Sequence, residues 1–172
     1  MSAAMDIETA KRKFHAFIHA RSLAVIATTG PDGKPEAALI NIAVTPELEI
    51  IFETTDATRK FINLKTNSRV SFVIGWDGDE TLQYDGVAEW LEGRALEEAH
   101  ARYVSVFPQK LSHQDWPGNH YFWARPSWIR FSNYHLPRKI EEYRFRPDAD
   151  ASVQTRAPWW RSLLRSTPRQ RN

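Results

Sequence analysis

The chain has 172 residues, 42% of them hydrophobic and 26% charged, which predicts one well-buried globular domain with short appendages. It contains no cysteine, which excludes a disulfide framework, a thiolate metal site and a cysteine nucleophile. It contains no apolar run of about 20 residues, and its first residues lack the apolar core of a secretory signal. We therefore expect a cytoplasmic protein that does not engage a membrane.

The net charge of +2 is distributed unevenly along the chain. Between residues 148 and 172 there are five arginines and two aspartates, so the rest of the chain carries a charge of about −1. A near-neutral body does not indicate a nucleic-acid surface. We predict a folded domain over residues 1–147 and a basic tail over 148–172. We expect the tail to be flexible because its first residues, DADASVQTR, are polar and have no apolar period.

Strand patterns recur along most of the chain. Six segments combine β-branched, aromatic and apolar residues with flanking turn residues, as strands do. The first three follow one another closely, so we expect a three-stranded meander. Gly86 predicts a bulge, and Pro126 is expected to interrupt the sixth strand. The segments are residues 23–29, 37–45, 48–54, 69–76, 81–91 and 120–134, with 139–145 as a candidate for a short last strand.

Three helices are predicted around these strands. Residues 6–20 carry apolar side chains at helical spacing, which predicts an amphipathic helix. Residues 57–66 predict a short helix, and residues 94–107 predict a longer one that Pro108 ends. Helices inserted between mostly antiparallel strands indicate an α+β, mainly β, barrel-like domain.

The junction FETTDATRK, residues 52–60, joins a strand end to a helix start. A helix N-terminus exposes unpaired N–H groups and the positive end of the helix dipole, so it favours an anion and an oxygen cap, here Thr55 or Asp56. Arg59 and Lys60 are cations in the first turn, where the dipole disfavours them, so an anion is expected nearby. Two interpretations stay open: a capped helix with two solvated cations, or a phosphate site.

Other catalytic patterns are weak in this sequence. His15 and His19 are four residues apart on the first helix, a spacing that can chelate a metal, but no HExxH motif includes them. No serine stands in a Gly-x-Ser-x-Gly elbow. We therefore expect neither a metal site nor a serine nucleophile, and the sequence identifies no catalytic residue.

The order of the motifs resembles the pyridoxamine 5′-phosphate oxidase-like flavoproteins, whose fold is the FMN-binding split barrel. The resemblance rests on FETTDATRK, then NSRVSFVI, then TLQYDGVAEWLEG and an acidic helix, and it extends from Arg21 to Phe107. It implies a six-stranded split β-barrel with inserted helices and an N-terminal amphipathic helix. It also implies FMN as the cofactor, flavin sites at the interface of a homodimer, and oxidoreductase activity on a small molecule.

The resemblance places the cofactor on particular residues. In that family a hydroxyl residue followed by Arg-Lys holds the FMN phosphate, and these residues are here Thr58, Arg59 and Lys60. The preceding strand end, Thr54, contacts the flavin, and a glutamine, here Gln83, approaches it from the neighbouring subunit. The second strand lies along the isoalloxazine ring, and its residues there are Ile40, Asn41 and Ile42.

Two departures limit what the resemblance implies. Glu53 stands where the pyridoxal-salvage oxidases have a tyrosine, and a carboxylate beside the flavin phosphate would be unfavourable unless it pointed away. The substrate-phosphate set and the C-terminal Arg-Leu-His segment of those oxidases are missing, and the corresponding region reads PSWIRFSNY. We therefore expect a flavoprotein other than the salvage oxidase itself. The same fold in relatives accepts deazaflavin F420 or haem, and a non-enzymatic flavin-binding or stress-response module is a further alternative.

The composition of the tail yields a first prediction. Truncation after Pro147 is expected to leave the melting temperature and the cofactor content little changed, because WWRSLLR should dock only weakly on the domain. Calorimetry and absorbance spectroscopy of the truncated and full-length proteins measure both quantities. A large loss of either would show that the tail is structural.

Overall fold

The computed structural model describes residues 7–145, and the predicted tail lies outside this range. The first elements are α1 (Ile7–His19), β1 (Leu23–Thr29), β2 (Pro35–Asn41), β3 (Ala43–Val44) and β4 (Ile50–Thr55). The next are α2 (Arg59–Thr66), β5 (Arg69–Ile74), β6 (Glu80–Trp90) and α3 (Gly93–Val106). The last are a 3₁₀ segment (Pro108–Asp115), β7 (Asn119–Asn133) and β8 (Lys139–Arg144). None of the helices within residues 7–145 is long and apolar enough to cross a membrane.

The strands form one antiparallel sheet in the order β2-β1-β5-β6-β7-β4-β3, and β8 pairs with β7. The strands β2 and β3 are the two ends of this order, yet only Ile42 separates them along the chain. The N–H of Ile42 donates to the carbonyl oxygen of Ser22 at 3.0 Å. The chain thus passes from one end of the sheet to the other, which curls the sheet into a split barrel. The expected mainly β split-barrel fold is confirmed.

Two expectations about the strands are wrong. The segment 37–45 is not one strand, because β2 pairs with β1 whereas β3 pairs with β4, so the three-stranded meander does not form. The sheet has eight strands among the described residues rather than six, since this segment divides at Ile42 and β8 adds to β7. The segment divides because the barrel closes there, and the local pattern of apolar residues does not predict such a long-range constraint.

Gly86 and Pro126 face each other where β6 and β7 shift register. Asp85 lies opposite Trp128 and Gly86 opposite Pro126, so Ser127 has no partner in the register. A Cβ atom on Gly86 would collide with the carbonyl oxygen of Arg125. The predicted bulge is confirmed. The expected interruption at Pro126 is wrong, because a residue without an N–H group is tolerated at a bulge and β7 continues through it.

The interior of the barrel is filled by residues that alternate along the strands. In β5, Val70, Phe72 and Ile74 are buried while the residues between them are exposed. The hydroxyl of Tyr84 lies inside, 2.5 Å from the carbonyl oxygen of Ala124, and burial raises the pKa of this phenol well above its ordinary value. Alternation with period two therefore decides which residues of each strand point inwards.

A buried polar network joins the barrel to α3 and the 3₁₀ segment. The Glu53 side chain is only 8% exposed and receives hydrogen bonds from Asn119 Nδ2 and the Tyr121 hydroxyl, each at 3.0 Å. His113 Nδ1 lies 2.9 Å from the same carboxylate, and Lys110 forms an ion pair with it. Burial alone would raise the pKa of Glu53, but the hydrogen bonds from Lys110, Asn119 and His113 outweigh it and lower that pKa.

The network predicts that Glu53→Gln destabilises the protein. We expect a loss of roughly 2–4 kcal/mol at neutral pH, because the partly buried ammonium of Lys110 would lose Glu53, its charged partner among the described residues. Since the folded pKa of Glu53 is depressed, its contribution is present above the unfolded pKa of about 4.3 and disappears as the pH falls through the folded pKa. Urea unfolding at several pH values measures both effects.

The matched control is Glu97→Gln, which removes an exposed carboxylate from α3. We expect this variant to keep the wild-type free energy of unfolding to within about 0.5 kcal/mol. Equal stability of Glu53→Gln and wild type at pH 7 would contradict the role given to the network.

Candidate functional site

Helix α2 begins directly after β4, at the junction that the sequence indicates. Thr58 is its N-cap, and the hydroxyl of this residue accepts from the N–H of Phe61 at 3.3 Å. The same oxygen lies 2.8 Å from Thr54 Oγ1 and donates to the carbonyl oxygen of Thr55 at 2.9 Å. Thr54 itself is buried, so the two hydroxyl residues form one connected pair at the start of the helix.

The expected cap at Thr55 or Asp56 is wrong. Thr55 still lies in β4 opposite Asn119 of β7, and the N–H of Asp56 donates to the carbonyl oxygen of Gly118 at 2.9 Å. Both residues are therefore held by the neighbouring strand and its preceding turn, and the helix begins only after the chain has left them.

A cleft of about 220 Å³ opens beside the N-terminus of α2. The strands β1 and β2 form one side of it and the first residues of the helix form the other. The implied phosphate residues thus line one cavity together. Its lining consists of Ile26, Thr28, Glu36, Ala37, Ala38, Thr58, Arg59 and Lys60.

The carboxylate that faces Arg59 is Glu36, at the start of β2. Arg59 Nη1 donates to Glu36 Oε1 at 3.0 Å, and Glu36 Oε2 accepts from Asn63 Nδ2 at 2.9 Å. The buried Asn63 also donates to Thr28 Oγ1 at 2.9 Å. Glu36 therefore connects β2 to α2 and supplies the nearby anion that the sequence led us to expect. Sequence reasoning missed it because it lies 23 residues before Arg59 and no local pattern relates the two.

Lys60 lacks such a partner. None of the ion pairs within residues 7–145 involves it. Burial lowers the pKa of its ammonium group, which is the cost of desolvating a charge that no carboxylate compensates. The hydrogen bonds of the described residues also leave the N–H groups of Arg59 and Lys60 without a protein acceptor. These features together favour an anion in the cleft.

The residues at the end of β2 that the resemblance implies for the cofactor lie outside the cleft. Ile40 and Ile42 are buried in the core, and the half-buried Asn41 ends β2 outside the cleft lining. The part of β2 that reaches the cleft is its first half, with Ala37 and Ala38. The structure therefore brings Thr58, Arg59 and Lys60 together with the start of β2 rather than with its end.

Gln83 is exposed on the outer face of β6. It lies in a cross-strand row in which Leu39 pairs with Val25, Val25 with Val73, and Val73 with Gln83. Leu39 is 59% exposed and Val73 is 38% exposed, so an apolar strip runs across the outer face up to Gln83. We call these four residues the outer row. Within one chain the outer row does not line the cleft.

Glu53, which precedes Thr54 in β4, points away from the cleft. Because side chains alternate along β4, Thr54 faces the cap of α2 while Glu53 faces the polar network with Tyr121 and Lys110. The carboxylate of Glu53 is therefore not placed to repel an anion that binds beside Thr58.

Comparisons with solved structures find the same fold in several bacterial proteins. A heme-binding protein from Mycobacterium smegmatis has a TM-score of 0.70 and 17% identity, covering 78% of this chain and 57% of that one. HutZ, the heme storage protein of Vibrio cholerae, has a TM-score of 0.61 and 18% identity, covering 67% and 88%. PhzG from Burkholderia lata, in complex with tetrahydrophenazine-1-carboxylic acid, has a TM-score of 0.64 and 16% identity, covering 91% and 95%.

These likenesses establish the fold. The chain spans less than two thirds of the length of the mycobacterial protein, and none of the curated proteins matches it significantly. The family model of pyridoxamine 5′-phosphate oxidase matches residues 10–133, which include the barrel strands β1 to β7 and the cleft. This match shows that the chain belongs to the pyridoxamine 5′-phosphate oxidase family.

Proposed function

We propose that the protein binds FMN, with the phosphate in the cleft beside α2, and acts as a flavin-dependent oxidoreductase on a small molecule. The observation that carries the proposal is the convergence of Thr58, Arg59 and Lys60 on one cleft at a helix N-terminus. Family membership supports FMN as the cofactor.

The charges and donors of the cleft fit a phosphate group. Arg59 has a side chain that is 76% exposed and can turn towards a ligand. Lys60 has no carboxylate partner among the described residues, and the N–H groups of the first helical turn point out of the helix end. Among the described residues that line the cleft, Glu36 is the single acidic one, so their net charge is one positive charge. Charge-assisted hydrogen bonds from these groups are the strong kind that phosphate oxygens form.

The small size of the cleft supports the proposal that two chains share the site. Its volume of about 220 Å³ is below the roughly 300–1,000 Å³ of typical cofactor pockets. Leu39 and Val73 of the outer row are exposed, and Gln83 lies at its end. We propose that a second copy of the chain covers the outer row and that its Gln83 completes the flavin site.

The division of chemical roles follows from this arrangement. A bound flavin supplies the redox chemistry itself, as cofactors of this kind do. Thr58, Arg59 and Lys60 would hold the phosphate, and Ala37 and Ala38 would form the adjacent wall. The proposal does not extend to oxidation of pyridoxine 5′-phosphate, because the substrate-phosphate set of the salvage oxidases is missing and PSWIRFSNY stands where they carry their C-terminal Arg-Leu-His segment.

Haem is the second candidate cofactor. The observation that favours it is the fold shared with heme-binding and heme-storage proteins of M. smegmatis and V. cholerae. The visible spectrum of the purified protein separates flavin bands from a Soret band and from the band of deazaflavin F420. Turnover with a reductant then separates an oxidoreductase from a non-enzymatic flavin-binding or stress-response module.

The phosphate site predicts different responses to FMN and riboflavin. We expect Lys60→Ala to weaken FMN by about thirtyfold, because it removes a half-buried ammonium group that has no carboxylate partner within residues 7–145. We expect Arg59→Ala to weaken FMN by about tenfold, since its side chain is largely exposed and solvent screens it. Titration of each protein with FMN, followed by flavin fluorescence, measures both effects.

Two controls make this experiment specific. Riboflavin lacks the phosphate, so it should bind wild type weakly and be nearly indifferent to both substitutions. Lys65→Ala removes an exposed lysine from the last turn of the same helix and should leave FMN affinity unchanged. Equal FMN affinity of wild type, Lys60→Ala and Arg59→Ala would show that the junction is a capped helix whose two cations hold no phosphate.

The outer row predicts a homodimer. Light scattering at micromolar concentration is expected to give twice the mass of the chain, and Leu39→Glu is expected to give a monomer that has lost FMN binding. Leu111→Glu is the matched control, because Leu111 is 65% exposed on the 3₁₀ segment, away from the outer row. A monomeric wild type would contradict both the proposed interface and the proposed sharing of the flavin site.

A further inference from the structure

Glu36 is a carboxylate in a cleft whose other charged residues are cations. Its side chain is 21% exposed and is held from two sides, by Arg59 at 3.0 Å and by Asn63 at 2.9 Å. Asn63 is only 2% exposed and is itself fixed by its hydrogen bond to Thr28. The position of this carboxylate is therefore set by a buried side chain and does not depend on Arg59 alone.

The two bonds of Glu36 differ in how easily they can be exchanged. Asn63 is a buried residue of α2 that faces β1, so its amide cannot turn away without breaking the bond to Thr28. Arg59 is largely exposed, so its guanidinium group can leave Glu36 for another anion without opening the core. A ligand that binds beside Thr58 and Lys60 therefore encounters an arginine that already has a partner.

An anionic ligand in this cleft also comes close to the Glu36 carboxylate. Like charges a few ångströms apart in a partly desolvated site repel strongly, and two negative charges on the ligand double that repulsion. Glu36 reduces the net charge of the lining from two positive charges to one. The cleft is thus less favourable to a dianion than its two cations alone would make it.

We propose that Glu36 competes with the phosphate of a bound ligand for Arg59 and thereby sets the affinity of the cleft for doubly charged groups. This inference rests on the proposed function, in which the ligand is FMN. In the free protein Arg59 pairs with Glu36. On binding, Arg59 turns to the phosphate while Glu36 stays hydrogen-bonded to Asn63. The binding free energy then gains only the difference between the Arg59–phosphate and the Arg59–Glu36 interactions.

The test removes the charge of Glu36 and keeps its shape. Glu36→Gln retains an oxygen that accepts from Asn63, but it no longer holds Arg59 by charge. We expect this variant to bind FMN at least about tenfold more tightly than wild type, while riboflavin affinity is unchanged. Glu97→Gln lowers the negative charge equally on the exposed face of α3 and should leave FMN affinity unchanged. Equal FMN affinity of Glu36→Gln and wild type would overturn the inference.

A double-mutant cycle distinguishes competition for Arg59 from simple repulsion. In an Arg59→Ala background the gain from Glu36→Gln should fall well below the gain seen when Arg59 is present, because no shared partner remains. An undiminished gain would overturn the competition. Glu36→Ala is the second variant, and it should give the same gain as Glu36→Gln even if it lowers the melting temperature.

A measurement without flavin separates this inference from the proposed function. If FMN binds none of these proteins, the proposed function fails. The melting temperature in inorganic phosphate, relative to chloride of equal ionic strength, then decides the inference. A larger stabilisation by phosphate in Glu36→Gln than in wild type supports it. Equal shifts, or the absence of a shift in both proteins, overturn it.

Discussion

The closure of the sheet at Ile42 is the constraint on which the rest of the structure depends. The strands β2 and β3 are the two ends of the sheet, and a single residue connects them. The pairing of β2 with β1 ends at Asn41, and the pairing of β3 with β4 begins at Ala43. Because α2 follows β4 directly, closure brings the start of β2 next to the start of α2, and the contact between them is the cleft.

The same closure explains why a carboxylate and an arginine 23 residues apart meet. Glu36 is near the beginning of β2, and Arg59 is the first residue of α2. Neither residue is informative in its own segment: one follows a turn, and the other is a cation in an unfavourable position of a helix. Their interaction, reinforced by Asn63 from the second turn, is a tertiary contact that also fixes the position of the helix on the barrel.

Sequence patterns predicted those parts of the fold that depend on neighbouring residues. The sequence predicts β1 at its observed range, Leu23–Thr29, because a short apolar run between a helix and a Gly-Pro turn has few alternatives. The bulge at Gly86 was also foreseen, since glycine inside a strand signals a close backbone approach. The sequence does not predict the division at Ile42 or the late start of α2 after its N-cap Thr58, because both are decided by pairing with distant strands.

The site, like the fold, was predictable only where it depends on residues that are close in sequence. The cluster of Thr58, Arg59 and Lys60 is local and could be found from sequence, whereas Glu36 and Asn63 join it only through the fold. Glu53 was identified as a departure from the family pattern, and strand alternation resolves it by directing the carboxylate to Lys110 and His113. The 3₁₀ segment that carries these two residues has no helical period long enough to be found from the apolar pattern.

The two first-turn cations therefore have different physical roles. Arg59 is neutralised within the chain by Glu36, so the unfavourable dipole interaction that its position implies is already offset in the free protein. Lys60 is half-buried, has a lowered pKa and has no internal partner among the described residues, so its charge is uncompensated until an anion enters. In the proposed phosphate site, Arg59 would exchange one partner for another, whereas Lys60 would gain one. Lys60 would then supply the larger net driving force for binding, although an arginine is usually the stronger phosphate ligand.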